Sequence, residues 1–196
     1  MKKFFIVGIL FTLVLFSANA QRFYFDIGLG IGKAWTKIDG TDISDSFKSA
    51  GVNFSEIGVD FGLKAGYGPA FNIPIYITGV LTGVGHRLSF NSNYVQFNSY
   101  LIGPGVIFYP IPNLQIAGSI GYSWTGNTSS YLTNMYKSQG GFAGDISIAY
   151  DLGKGNHGCL LGLRYFGSSN KLEVSNAKQS MSVLSVFARY TFRQKI

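Results

Sequence analysis

Between Leu88 and Tyr136 the chain runs for 49 residues without an Asp, Glu, Lys or Arg. A segment of that length facing water carries charge, so this one belongs in an apolar setting. A membrane-crossing helix needs about 20 consecutive apolar residues. The segment never supplies them, because Pro104, Pro110, Pro112, scattered Asn and Ser, and frequent Gly interrupt it. What remains is strands alternating apolar with small residues, the weak but repeated signature of membrane β-barrels. Composition agrees: 26 of 196 residues are Gly and only 13% are charged, against roughly 25% charged in an ordinary soluble domain. Gly and Pro at this density exclude long helices, and without a Gly-X-Y period collagen is excluded too.

The N-terminus reads as an export signal. Lys2 and Lys3 precede an apolar run, Phe4 to Phe16, of 13 residues, and Ser17-Ala18-Asn19-Ala20 then supplies small residues for cleavage between Ala20 and Gln21. Residues 1–20 are therefore expected to be removed, leaving 21–196 as one barrel domain. Beyond Lys2 and Lys3 the basic residues that give the formal charge of +7 are scattered, without a basic cluster, so nucleic acid is not an expected partner. A lone Cys159 excludes an internal disulfide.

Period-two alternation predicts eight strands. They cover Phe23–Lys37, Phe54–Tyr67, about Ile75–Phe90, Val95–Tyr109, Leu114–Trp124, roughly Lys137–Tyr150, Cys159–Phe166 and about Met181–Phe192. The expected fold is all-β: an eight-stranded antiparallel transmembrane up-and-down barrel. On the first strand Phe25, Ile27, Leu29 and Ile31 alternate with Asp26, Gly28, Gly30 and Gly32. The second alternates Ile57, Val59, Phe61 and Leu63 with Gly58, Asp60, Gly62 and Lys64. The third sets Val80, Val84, Leu88 and Phe90 against Gly83, Gly85, Arg87 and Ser89, although Leu81 then falls on the polar face. In the fourth, Pro104 calls for a bulge.

One face is thus aromatic and aliphatic, while the other is Gly, Ser and Ala with an occasional charge. A soluble sandwich would turn a richly charged face outward. An eight-stranded barrel is just wide enough inside for side chains to fill it, so the small face points inward and the apolar face meets lipid. The expected interior charges are Asp26, Asp60, Lys64, Arg87, Asp145, Arg164 and Arg189. They read as a mutually neutralising plug, since buried charges need partners; a gated or conducting lumen is the alternative.

The connections set an orientation. Gly68-Pro69, Pro110 to Asn113 and Asp151 to Asn156 are short, whereas 38–53, 126–136 and 167–179 are longer and polar, with only Asn91 to Tyr94 short on that side. Short periplasmic turns and longer outer loops are the habit of outer-membrane barrels. Tyr67, Tyr109, Trp124, Tyr150 and Tyr190 stand near strand ends, where aromatic girdles form.

The signal peptide, the alternating strands and the closing Ala188-Arg189-Tyr190-Thr191-Phe192 resemble the small outer-membrane β-barrel families. The chain is most similar to the PorT-like "outer membrane protein beta-barrel domain" group, and more distantly to OmpX- and OmpA-type barrels. The resemblance covers the mature chain and rests on pattern. It implies a cell outer-membrane location in a Gram-negative bacterium, lipid contact, and assembly by the barrel-assembly machinery. Tyr190 and Phe192 match the terminal aromatic signal of such families, with Arg193 to Ile196 following.

Catalytic chemistry has thin support. His86 with Ser89, and Asp60 or Asp145 as the acid, would suggest a lipid-modifying hydrolase. Nucleophile and base must lie within hydrogen-bond reach, yet His86 and Ser89 have opposite parity on one strand. His157 and Cys159 are too few for a metal site, and Gly28 to Gly32 opens no helix, so it is no phosphate loop. No cofactor is implied. The reading is a structural or surface-binding barrel, with a porin-like or transport and secretion accessory barrel as the alternative and a lipid A deacylase-type hydrolase behind both. N-terminal sequencing of protein from the outer-membrane fraction is expected to start at Gln21; an intact Met1 or recovery in the soluble periplasm contradicts the export reading.

Overall fold

The computed structural model describes residues 23–70, 73–131, 138–153, 155–173 and 176–193; the Ala20–Gln21 cleavage site lies outside them. Eight long antiparallel strands form a closed ring: β1 (Phe23–Ile38), β3 (Ser55–Tyr67), β4 (Ile75–Phe90), β5 (Asn93–Ile111), β6 (Leu114–Thr125), β8 (Ser138–Asp151), β9 (His157–Leu172) and β10 (Lys178–Arg193). Each pairs with the next in that order, and β10 pairs back onto β1 from Tyr24 opposite Arg193 to Ile38 opposite Gln179. Closure leaves no edge strand, which hydrocarbon would penalise at every unpaired backbone group.

Two short pairs, β2 (Thr41–Asp42) on β1 and β7 (Thr128–Ser129) on β5, extend the wall at one end. Between β2 and β3 lies the helix α1 (Ile43–Ser49), which Asp42 caps by accepting the Ser44 N–H at 2.9 Å. This loop end is opposite the turn end, where Phe23, Arg193 and the connections after β3, β5 and β8 lie. At the loop end Asn91 takes φ 51° in the connection after β4, a left-handed conformation that Asn tolerates.

Apolar side chains point outward and stay exposed in a continuous belt, with Leu29 67%, Ile31 63% and Val186 60% exposed. On β1 the belt ends at Ile31, and exposed Lys33 stands above it; on β4, Leu81 is exposed below Arg87. No water-soluble design leaves every strand apolar on its outer face. Among the described residues no helix is long and apolar enough to cross a membrane.

The structure corrects the sequence reading of the strands in four places, and of Tyr109 in a fifth described below. First, β4 is inverted: Val80, Val84 and Leu88 are buried inside, while Ile77, Leu81 and Arg87 face outward. The reason is an apolar interior layer of Ala34, Val80, Val84, Leu101, Ala143, Phe166, Met181 and Val183, which the rule "apolar means outward" does not anticipate. Second, Arg87 consequently leaves the interior set, and its guanidinium lies 4.1 Å from the centre of the Tyr94 ring.

Third, Pro104 needs no bulge. The β5–β6 register is the same at Ile102 opposite Tyr122 and at Gly105 opposite Ser119, and Gly103 and Gly121 let the backbones approach where the donor is missing. Fourth, residues 167–172 and 178–179 belong to β9 and β10 rather than to a loop, so these strands rise above the belt with small and polar residues outward.

Leu29→Arg tests the belt. At a water-exposed site it would be nearly neutral, but on a lipid-facing surface Arg costs about 2–4 kcal/mol at the bilayer midplane and less toward the interface, so about 1–3 kcal/mol one outward residue below the belt's end. Urea titration of barrel folded into vesicles is expected to show a loss of that order; equal stability would contradict the belt.

Candidate functional site

The interior is where the inward halves of all eight strands converge, and it is layered. In the middle, Asp26 on β1, Asp60 and Lys64 on β3, Asp145 on β8, Arg164 on β9 and Arg189 on β10 are all buried, Asp145 least so at 8% exposed. Arg164 reaches Asp145 Oδ2 through Nε at 2.6 Å and Asp60 Oδ1 through an Nη atom at 3.5 Å. Arg189 lies 3.7 Å from Asp60 and 3.9 Å from Asp26. Asp60 also accepts the Ser185 hydroxyl, and Asp145 that of Ser119. Three carboxylates thus face three cations, and Asp60, shared by both arginines, is the hub.

Lys64 stands opposite Asp26 in register, with no hydrogen-bond partner on Nζ among the described residues. Small residues make the arginines possible. A Cβ at Gly62 would lie 2.8 Å from an Arg189 guanidinium nitrogen, and one at Gly28 would collide with the Arg189 stem. The Gly on the inward face is space reserved for guanidinium.

Toward the turn end the charges give way to tyrosines. Tyr24 donates to Asp26 Oδ2 at 2.8 Å, and Gln115 donates to both the Tyr24 and Tyr109 hydroxyls at 2.8 Å. The Tyr24–Tyr76 and Tyr76–Tyr109 ring centroids are 5.1 and 5.9 Å apart. Tyr109 is therefore an interior residue, 2% exposed, and not part of a girdle; its odd number shares parity with Leu101 and Ile107, both fully buried. Tyr67, Trp124, Tyr150 and Tyr190 do point outward. Arg193 closes the turn end: it pairs with Asp151 at 2.8 Å, donates to the Pro112 carbonyl at 2.6 Å and stacks 3.9 Å over Tyr109.

Toward the loop end the apolar layer covers the charges, and polar groups cover that layer. Asn127 exchanges hydrogen bonds with Gln179, and Asn98 donates to the Gly126 carbonyl at 2.6 Å, drawing the connection after β6 across the mouth. His86, fully buried, has Nδ1 2.9 Å from the Thr36 hydroxyl and Nε2 3.6 Å from Glu56. Glu56 accepts from Ser44 of α1 at 2.8 Å. A hydroxyl, an imidazole and a carboxylate in series have the form of a nucleophile–base–acid array. Thr36 and His86 are both 0% exposed, so no substrate reaches them, and the series serves to fasten α1 to the wall. Ser89 is on the other face of β4, away from His86, and neither Asp60 nor Asp145 touches it.

Arg193, Asp151, Tyr24, Gln115, Thr36 and Glu56 were not singled out as site residues, although parity turns most of them inward: Tyr24 and Thr36 share the parity of Asp26, Gln115 that of Ser119, Arg193 that of Arg189 and Asp151 that of Asp145. His157 and Cys159 lie outward on β9, with His157 Nδ1 2.6 Å from the Tyr190 hydroxyl. Among the described residues no cluster of His, Cys, Asp or Glu could hold a metal ion. Phe192 packs against Phe23 at 6.3 Å and His157 at 5.1 Å.

Among solved structures the barrel is similar to Ail, the attachment invasion locus protein of Yersinia pestis, with a TM-score of 0.52 and 13% identity over 85% of this chain and 98% of that one. Neisserial surface protein A is similar at a TM-score of 0.51 and 14% identity, over 87% and 96%. The outer membrane protein OprG from Pseudomonas aeruginosa matches more loosely, at 0.44 and 14%, over 88% and 96%. No family model and no curated protein matches the chain. At these identities the likeness concerns fold: the architecture is that of the small outer-membrane barrels.

Asp60→Ala is expected to leave the buried cluster with three cations on two carboxylates, Arg164 keeping Asp145 and Arg189 keeping Asp26, at about the 3–5 kcal/mol typical of an uncompensated buried charge. Asp45→Ala, which removes only an exposed partner of Lys48, is expected to cost under about 1 kcal/mol. Urea unfolding of the two variants measures the difference; equal midpoints would remove Asp60 from its role as hub.

Proposed function

We propose that this chain is an integral outer-membrane barrel of a Gram-negative bacterium. It is exported on the signal peptide ending at Ala20 and folds with its turn end in the periplasm and its loop end outside. It acts as a structural and binding protein through that loop end. The interior is filling, not a pathway. The observation that carries this reading is the stack of layers across the lumen: Arg193 with the tyrosines, the charge cluster, the apolar layer, and the polar contacts of Asn127 and His86. A porin-like barrel needs a continuous aqueous path, and each layer opposes one.

The PorT-like group remains the family reading, on the closing Ala188 to Phe192 motif and the strand pattern. Tyr190 and Phe192 are assigned as the aromatic signal for the barrel-assembly machinery, and both lie outward at the turn end, where that machinery would meet them. Partners are then outer-membrane lipid and an extracellular or envelope protein that meets the outer loops. Ail has been crystallised with the heparin analogue sucrose octasulfate, which is a precedent for ligand binding by a barrel of this size. Hydrolysis is disfavoured because the hydroxyl and the imidazole of the Thr36–His86–Glu56 series are both fully buried.

Refolded protein that shifts on gels between boiled and unboiled samples, inserted into planar bilayers, is expected to show no stepwise current. Steady conductance from such a heat-modifiable preparation would displace the filled-barrel reading in favour of a small porin.

A further inference from the structure

Above the belt, the register of β8, β9, β10 and β1 fixes what the outward wall presents. Tyr165 and Leu184 are opposite each other at the top of the apolar zone. In the next row Gly144, Gly167, Ser182 and Trp35 stand side by side. One row higher are Ser169, Ser180 and Lys37, and above them Lys171 lies directly opposite Lys178.

The result is a shelf floored by small hydroxyl-bearing residues, walled by Trp35 and by Tyr165, whose hydroxyl donates to Ser182 at 3.3 Å, and crowned by lysines. Like charges opposite each other on adjacent strands are destabilising. Among the described residues none of Lys37, Lys171 and Lys178 forms a salt bridge with a side chain. Of the acids close by, Asp39 accepts the Lys178 backbone N–H at 2.7 Å, Asp42 caps α1, and Glu173, two residues beyond Lys171, forms no salt bridge among the described residues. Such an arrangement is complementary to an anion that arrives from outside the protein.

We propose that this shelf binds the phosphorylated sugar headgroup of an outer-leaflet glycolipid, an inference that rests on the outer-membrane orientation proposed above. Height selects the ligand. The paired lysines are six residues beyond Tyr165 and Leu184, which is about 15 Å along the membrane normal for a strand rising about 3.3 Å per residue and tilted about 40°. An ordinary phospholipid headgroup layer is only about 5–7 Å thick. A sugar headgroup spans the serine rows with its hydroxyls, lays a ring face on Trp35 and presents phosphate to the lysines, whereas a phospholipid stops short of them.

The test uses full-length mature barrel in phosphatidylcholine nanodiscs doped with a lipooligosaccharide whose core sugars are phosphorylated, with retained glycolipid counted by native mass spectrometry. Each basic residue near an anionic lipid surface contributes roughly a factor of five in binding, so the double variant K171Q/K178Q is expected to lose about 25-fold in affinity. Enzymatic dephosphorylation of the glycolipid is expected to act similarly. Lys48→Gln on α1 is expected to change nothing, and phosphatidylglycerol or the soluble core oligosaccharide phosphate to compete poorly.

Undiminished retention by a heat-modifiable double variant overturns the proposal. So does equal competition by phosphatidylglycerol, which would mean general anionic-lipid attraction, or equal binding of the soluble oligosaccharide, which would make the ligand a free glycan. If native protein fails to insert at all, the outer-membrane reading itself falls; insertion without retention defeats only the glycolipid assignment.

Discussion

Pairing of β10 back onto β1 satisfies the last backbone edge and, by closing a ring of only eight strands, fixes a lumen narrow enough for side chains to fill. Everything inside follows from that constraint. Two arginines entering from adjacent strands, Arg164 and Arg189, need carboxylates within a few ångströms, and Asp60 serves both. Guanidinium needs room beside the wall, and Gly28 and Gly62 provide it. Burying such a cluster is not in itself stabilising, since the desolvation of paired charges can exceed their attraction. The cluster is tolerable because the apolar layer and the tyrosines shield matched charges, leaving no single unmatched one facing hydrocarbon.

The wall was legible because lipid imposes period two on six strands with little interference. In β1, β3, β6, β8, β9 and β10 the outward residue is aliphatic or aromatic and the inward one is small or charged, so alternation alone orients them. β4 defeated that rule for a physical reason. Its two faces, Ile77-Leu81 and Val80-Val84, are equally apolar, because one touches lipid and the other joins the interior apolar layer. Only Leu81 and the nearby His86 and Arg87 hinted at the true parity. Tyr109 misled in the same way: a tyrosine at a strand end suits a girdle, and hydrogen bonding to Gln115 from another strand cannot be seen in a linear pattern.

The interior cluster was half legible. Six of the seven charges expected inside are there, because an isolated charge among Gly and Ser on an alternating strand has few other places to go. Which acid meets which base depends on the stagger of the ring, which brings Asp60 to Arg164 across more than a hundred residues, and no spacing in the sequence encodes it. The loop end was least legible. The Thr36–His86–Glu56–Ser44 series joins four segments, and its effect is to seat α1 against the wall, giving the exposed end a defined shape. A barrel with a packed interior and a fixed outer rim is built to present surface, and the lysine shelf on its side extends that surface into the headgroup region.

The central claim is that lipid is outside and packed side chains, not water, are inside. Site-directed spin labelling of a Cys159→Ser background in vesicles tests it most directly. Labels at Leu29, Leu81 and Ile102 are expected to collide readily with dissolved oxygen and hardly at all with an aqueous nickel chelate. Labels at Ser147 and Ser185, beside the charge cluster, are expected to be inaccessible to both. A label at Ser185 that meets the nickel chelate as freely as one in bulk water would mean an open aqueous lumen and would contradict the account.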